Sequence, residues 1–329
     1  MSEFTFAHVS DLHIPFEPVL SPGQRWSKRQ LSAWSWRRRR ALHRDDILDA
    51  LAHDVRTQSV DHILVTGDIT NFSLPGEFRQ AARWLADLAP AERISVVPGN
   101  HDALVHVPHS EGLGLWDAWT RAEKGWPFVH RRGGVSIVGL NTALPTAPLL
   151  ARGALGAQQL LRLEEVLVAE GQAARTRIVM LHHPPAAGAI GWRKALADRQ
   201  ALCDVLERCG AELVLHGHAR DARLDVIPGP REPIPCLCVP SSSALPNPKD
   251  QGALWHRLRL STTDGNPRVD IEVRRWSVRD GAFLADGAYT LCLPDSDRAV
   301  MTNASGENAR LRDLPATNDR GSISDGQRD

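Results

Sequence analysis

Five times between residues 4 and 218, an apolar run of strand length stops dead at a short polar cluster rich in carboxylate, imidazole or amide. Phe4 to Val9 ends at Ser10-Asp11-Leu12-His13, His62 to Thr66 at Gly67-Asp68, and Ile94 to Val97 at Gly99-Asn100-His101-Asp102. Ile178 to Leu181 is followed by His182-His183, and Leu213 to Leu215 by His216-Gly217-His218. Between these strands the spacing predicts helices over roughly 27–57, 75–89, 113–124, 156–170 and 193–209, with a further strand at 135–140. Strands alternating with helices imply an α/β chain with a largely parallel sheet. In such sheets the carboxyl ends of the strands share one crevice, so distant residues converge there.

Beyond about residue 223 the helical signal gives way to short strands at 234–239, 253–260 and 269–275, the last two joined by the hairpin signal Asp264-Gly265. Residues 295–329 lose apolar content, so we expect one domain over 1–294 and a disordered polar tail over 295–329. Thirty-nine basic residues balance thirty-nine acidic ones, which argues against a surface built wholly for nucleic acid. Five cysteines at no metal-knuckle spacing, and no secretory leader, point to a cytoplasmic protein.

The donor types suit Mn, Fe, Zn or Mg rather than a thiolate-bound metal. Asp11 and His13, two apart in extended chain, would share a face. Taken singly, each cluster is a common turn; together and in this order they are a pattern. That pattern (Asp-x-His, Gly-Asp, Gly-Asn-His-Asp, a later His, Gly-His) resembles the calcineurin-like metallophosphoesterases over roughly residues 4–290. The resemblance implies a four-layer α/β/β/α sandwich and two divalent metal ions of type Mn, Fe or Zn. Asp11 and His13 would bind the first metal, Asp68 would bridge both, and Asn100, His182 and His218 would bind the second. His101 would sit over the substrate phosphate, oriented by Asp102, and act as proton donor while a metal-bridging hydroxide attacks phosphorus in line. His183 reads as a supporting residue.

The last motif departs from the pattern. It continues Gly217-His218-Ala219-Arg220, with Arg where a second His should complete the first metal site. A guanidinium stays protonated and offers only donors, so Arg220 cannot ligate a metal. Arg220, with Asn100 and His101, could instead hold substrate phosphate. The expected function is hydrolysis of a small nucleotide- or lipid-linked phosphodiester or pyrophosphate. The alternative is a non-catalytic or single-metal module that keeps the fold.

Residues 25–44 hold eight Lys/Arg, three Trp and no acid. One reading is the solvated face of a long helix; the other is a lid that meets phosphates, or in its specialised form an anionic membrane surface. Seven further tryptophans lie in apolar patterns, and Trp116, Trp119 and Trp192 are candidates to line the substrate pocket.

Overall fold

The computed structural model describes residues 3–120, 125–247, 251–263, 266–294, 301–303 and 308–309. The strands are β1 (Phe4–Val9), β2 (His62–Val65), β3 (Ile94–Val96), β4 (Phe128–Arg132), β5 (Val135–Gly139), β6 (Thr176–Met180), β7 (Leu213–His216), β8 (Arg223–Ile227), β9 (Ile234–Cys238), β10 (Leu254–Thr263), β11 (Asn266–Ser277), β12 (Ala282–Cys292), β13 (Met301–Asn303) and β14 (Asn308–Ala309). The helices are α1 (Lys28–Arg39), α2 (Asp45–Thr57), α3 (Pro75–Leu88), α4 (Asp117–Thr120), α5 (Ala157–Gln172) and α6 (Arg199–Cys209).

Two mixed sheets result, ordered β14-β13-β12-β11-β10-β1-β2-β3 and β4-β5-β6-β7-β9-β8. β1, β2 and β3 run parallel, as do β5, β6, β7 and β9. Three apolar cores account for the layering. Phe6, Leu64 and Leu258 of the first sheet meet Ile137, Met180 and Leu215 of the second, face to face. On the outer face of the first sheet, Val9, Ile63 and Val96 take the apolar stripe of α2 (Ile47, Leu48, Leu51, Val55) and that of α3 (Phe78, Ala81, Leu85). On the outer face of the second, Val138, Val179 and Val214 take Leu163 and Leu167 of α5 and Leu202 and Leu206 of α6. Strands buried on both faces read as continuous apolar runs, and helix stripes at i, i+3/i+4 and i+7 need one sheet face each. The layers are therefore α/β/β/α, as the family resemblance implied.

Several sequence expectations change. The long helix over 27–57 is two helices, because the chain leaves helix at residues 40–44 to place His43 in an isolated bridge with Ala244, where Leu245 N–H also donates to the Leu42 carbonyl at 2.8 Å. Of the helix expected over 113–124, Leu113–Trp116 form a short 3-10 turn and Asp117–Thr120 form α4, and residues 121–124 lie outside the described ones. Strands β4, β8 and β12 carried no clear apolar signal, being half exposed along much of their length. Asp264 and Gly265 lie outside the described residues, although β10 and β11 pair antiparallel from Thr263↔Asn266 onward. Of the expected tail, 301–303 and 308–309 form β13 and β14 on the sheet edge; its other residues lie outside the described ones.

Candidate metal centre

The two sheets present the carboxyl ends of β1, β2, β3, β6 and β7 to one rim, and the five polar clusters meet there. Beyond β1 and β2 the ladder carries on irregularly: Asp11 N–H donates to Gly67 O and His13 N–H to Asp68 O, both at 2.9 Å. The chain does not stay extended there. Asp11, His13 and Asp68 have φ of 48°, 40° and 54°, and His218 and Arg220 have 66° and 62°. Non-glycine residues avoid this region, and strain of that kind concentrates where side chains are aimed for a purpose. Asp11 and His13 thus converge through left-handed turns, not through the extended geometry that their spacing suggested.

Asp68 stands at the centre. Its Oδ1 accepts from the His101 backbone N–H at 2.7 Å, which turns Oδ2 towards the imidazoles. Oδ2 lies 3.9 Å from His13 Nε2 and 3.3 Å from His182 Nε2. Asp11 has its Oδ2 held by Ser10 Oγ at 2.8 Å and His218 N–H at 3.0 Å, while its Oδ1 lies 3.9 Å from His13 Nε2. Asn100 Oδ1 is 3.3 Å from His182 Nε2. Among the described residues, His13, Asp68 and His101 bring donor atoms within 4.8 Å of one another, and so do Asp68, His182 and His218. All the sequence-predicted ligands therefore border one small volume, with Asp68 common to its two halves.

Backbone carbonyls fix the rings. His182 Nδ1 donates to Thr66 O at 2.7 Å, His13 Nδ1 to Thr70 O at 3.2 Å, and His218 Nε2 to Lys194 O at 3.0 Å. Anchoring one ring nitrogen in this way sets the tautomer and presents the other to a cation. His13 Nε2 is buried and has no hydrogen-bond partner. Burial, then the neighbouring His43 and His101, hold the His13 imidazole well below its ordinary range, so it is neutral with a lone pair to give. His218 is likewise depressed, by burial and then by His183 and His182. His182 goes the other way: burial would lower it, but the Asp68 and Asp11 carboxylates raise it to about 9. Asp68 is held well below its ordinary value, burial being outweighed by His182, His101 and His13. Burial raises Asp11. A cleft that keeps a buried carboxylate ionised and favours a proton on a buried imidazole is a cleft built for positive charge. The donor set and the unpartnered His13 Nε2 fit divalent metal.

Glycine makes the approach feasible. A Cβ on Gly99 would lie 2.3 Å from Asp68 Oδ1, and one on Gly217 would lie 1.9 Å from Ser10 Oγ and 2.6 Å from Asp11 Oδ2. The loop after β9 closes the rim: Ser241 Oγ donates to Asp11 O at 2.7 Å and Ser242 N–H to Ser10 O at 2.9 Å.

Asp102 does not take the role expected of it. Its carboxylate accepts from Thr70 N–H and Gly99 N–H, both at 2.8 Å, from Thr70 Oγ1 at 3.0 Å and from Ile69 N–H at 3.4 Å. It ties the β2 and β3 loops together, and burial with the Asp68 charge pushes it up to about 7. His101 is instead set by the Asn71 carbonyl, 3.0 Å from Nδ1. His183 is engaged at both ring nitrogens, by Thr142 Oγ1 at 2.7 Å and Ala151 O at 3.2 Å, in keeping with a supporting residue. Arg220 is half-buried, and its charge acts on both Asp11 and His13. His216 is buried beneath the loop, its Nδ1 3.1 Å from the Gly217 carbonyl. Trp116 and Trp119 are core residues, Trp116 donating to Phe78 O, and Trp192 is 65% exposed; the first two do not line a pocket.

Sequence reasoning missed Thr66, Thr70, Asn71 and Ser241, which act largely through backbone carbonyls or small hydroxyls. It also missed His43, buried with its ring centroid 4.7 Å from that of His13 and its Nδ1 2.8 Å from Ser243 Oγ.

A fold of two packed sheets with an acid–imidazole–amide rim defines a class of metal-site hydrolases. The chain belongs to the calcineurin-like phosphoesterase family, whose model matches residues 4–219. Among solved structures, a dimetal phosphatase from Danio rerio is 15% identical with a TM-score of 0.49, over 86% of this chain and 98% of that one. A purple acid phosphatase from yellow lupin (Lupinus luteus) is 12% identical with a TM-score of 0.53, over 88% of this chain and 53% of that one. Vacuolar protein sorting 29 from Cryptosporidium parvum is 13% identical with a TM-score of 0.41, over 88% and 98%. Among curated proteins none matches the sequence.

Proposed function

We propose that the chain is a phosphodiesterase or pyrophosphatase that hydrolyses a small nucleotide- or lipid-linked substrate, using two divalent cations (Mn, Fe or Zn). The observation that carries this reading is the placement of Asp68 Oδ2 between His13 Nε2 (3.9 Å) and His182 Nε2 (3.3 Å), a carboxylate oxygen shared by two half-sites. Asp11, His13 and Asp68 would hold one cation, and Asp68, Asn100, His182 and His218 the other. Bound there, the cations would supply Lewis-acid charge for the phosphoryl oxygens and a water activated at neutral pH.

The chain's own residues do the rest. His101, with Nδ1 committed to the Asn71 carbonyl, would carry the transferable proton on Nε2 and deliver it to the departing oxygen. Arg220 would clamp a phosphate oxygen on the Asp11 side, where the family pattern would place a ligand. The deep burial of Asp11, Asp68, His182 and His218 keeps bulk water from screening these charges.

Hydrolysis of bis-p-nitrophenyl phosphate with added Mn, followed by a panel of cyclic nucleotides, UDP-sugars and phospholipid-like diesters, tests the reading. Metal-dependent turnover is expected. Because Arg220 sets a fixed positive charge against the first half-site, a second reading is a single-metal or non-catalytic module. No turnover with any divalent metal, together with recovery in Arg220→His, would establish that reading instead.

A further inference from the structure

The basic stretch at residues 25–44 has two sides. On the inner side, Lys28 Nζ donates to Thr146 Oγ1 at 2.6 Å and to Leu150 O at 2.7 Å. Arg29 donates to Phe72 O at 2.9 Å and Ser73 O at 2.6 Å. One turn of α1 is therefore clasped to loops that spring from both sheets. Trp36 is buried edge-on to Phe72 and lies nearly parallel to the His43 ring, so the helix is seated directly behind the metal rim.

The outer side is different. Trp26 is 94% exposed, Val19 89%, Trp34 56% and Leu31 47%. Gln30, Trp34 and Arg37, at i, i+4 and i+7, share one exposed helix face, and Ala33 at its margin turns inward to pack with Trp36, Phe72 and Leu74. Arg25 and Arg37 line a cavity of about 350 Å³ together with Leu20 and Gln30. Glu17 is the acid at that cavity, with Arg40 Nη1 3.4 Å from its carboxylate.

We propose that the outer face of α1 and the turn before it form a docking surface for an anionic lipid bilayer, with the Arg25–Arg37 cavity receiving a lipid phosphate. The charge complementarity is local: residues 25–44 contain eight Lys/Arg and no acid, in a chain of zero net charge, and the Glu17 carboxylate at the cavity is paired with Arg40 and outnumbered by Arg25 and Arg37. Indole rings suit the boundary between headgroups and acyl chains, and arginine suits phosphate. Exposed Val19 and Leu31 gain from an apolar boundary and would gain nothing from stacking on nucleic-acid bases. Among the described residues no helix is long and apolar enough to cross a membrane, so this contact lies on the surface of the bilayer. The proposal concerns binding and stands whether or not the metal centre turns over.

The test is co-sedimentation of the full chain with phosphatidylcholine vesicles, with and without phosphatidylglycerol. Binding is expected only when phosphatidylglycerol is present. Arg25→Gln with Arg37→Gln should weaken it roughly thirtyfold, at about a tenfold loss per 1.4 kcal/mol and about 1 kcal/mol per arginine near the surface. Trp26→Ser with Trp34→Ser should weaken it as well, at low and at high salt. Unaltered thermal melting of each variant would establish that it folds. Three results would overturn the proposal: no native binding to phosphatidylglycerol vesicles; equal binding to pure phosphatidylcholine; or loss on arginine replacement with none on tryptophan replacement, accompanied by tight binding of an RNA oligomer.

Discussion

The carbonyl oxygen of Asn71 lies 3.0 Å from His101 Nδ1 and thereby fixes which nitrogen of that imidazole faces the cleft. A backbone carbonyl sets the tautomer and orients the ring without placing a further formal negative charge beside it.

If His101 protonates the departing oxygen, its removal should matter most where that oxygen is a poor leaving group. His101→Ala is expected to slow alkyl diesters by ~10²- to 10⁴-fold, the usual range for a general acid, and p-nitrophenyl esters much less. Rates across a series of leaving groups provide the check: a steeper dependence on leaving-group acidity supports the role, and parallel slopes for the native and altered enzymes remove it.

Asp68 makes a prediction that does not depend on turnover. Among the described residues Asp68 is common to both candidate donor groups, so Asp68→Ala should lower the number of divalent ions retained after gel filtration, and Asn100→Ala should lower it less. Activity should fall with it by ~10³-fold or more, since a two-cation centre works as a unit. Full metal content in Asp68→Ala would mean that the two half-sites do not share this carboxylate.

The convergence of the candidate donors was legible because their chemistry is carried by side-chain type at strand ends: Asp11, His13, Asp68, Asn100, His182 and His218 all border one volume. What was not legible acts through groups that every residue possesses. The carbonyls of Thr66, Thr70 and Asn71 have no sequence signature, and neither do the left-handed φ angles at Asp11 and His13. The break between α1 and α2 follows from a long-range bridge, His43↔Ala244, that overrides local helical preference. His43 reaches His13 by that same route, so its sequence neighbours gave no hint of it.

Gly217 is the tightest glycine contact at the rim. With a Cβ placed 1.9 Å from Ser10 Oγ and 2.6 Å from Asp11 Oδ2, Gly217→Ala must push the β7 loop away from β1. Overpacking of this kind costs about 1–3 kcal/mol. The melting temperature and metal retention should both fall. Ser10→Gly in the same chain clears the nearest clash and should restore part of the stability. Failure of the pair to recover any of it would show that the close approach is not what makes Gly217 necessary.

A final prediction concerns acid stability at the far side of the second sheet. Glu170 of α5 accepts hydrogen bonds from Arg131 and Ser136 and pairs with Arg175 Nε at 3.4 Å. The Arg131 hydrogen bond leads in holding its carboxyl below the ordinary value of 4.5, against the opposing effect of burial. Between the folded and unfolded values the unfolded chain binds the extra proton, so this contribution is complete above about 4.5 and is lost as pH falls through the folded value. Hydrogen bonds to a buried charge contribute about 1.5–3 kcal/mol. The native chain should therefore exceed Glu170→Gln by about that much in urea unfolding near neutrality. The gap should narrow as the pH drops from about 4.5 through the lower folded value, beneath which Glu170 carries a proton in both states. A gap that stays constant from neutrality into strong acid would mean that the carboxylate's charge contributes nothing to the cohesion of α5 with β4 and β5.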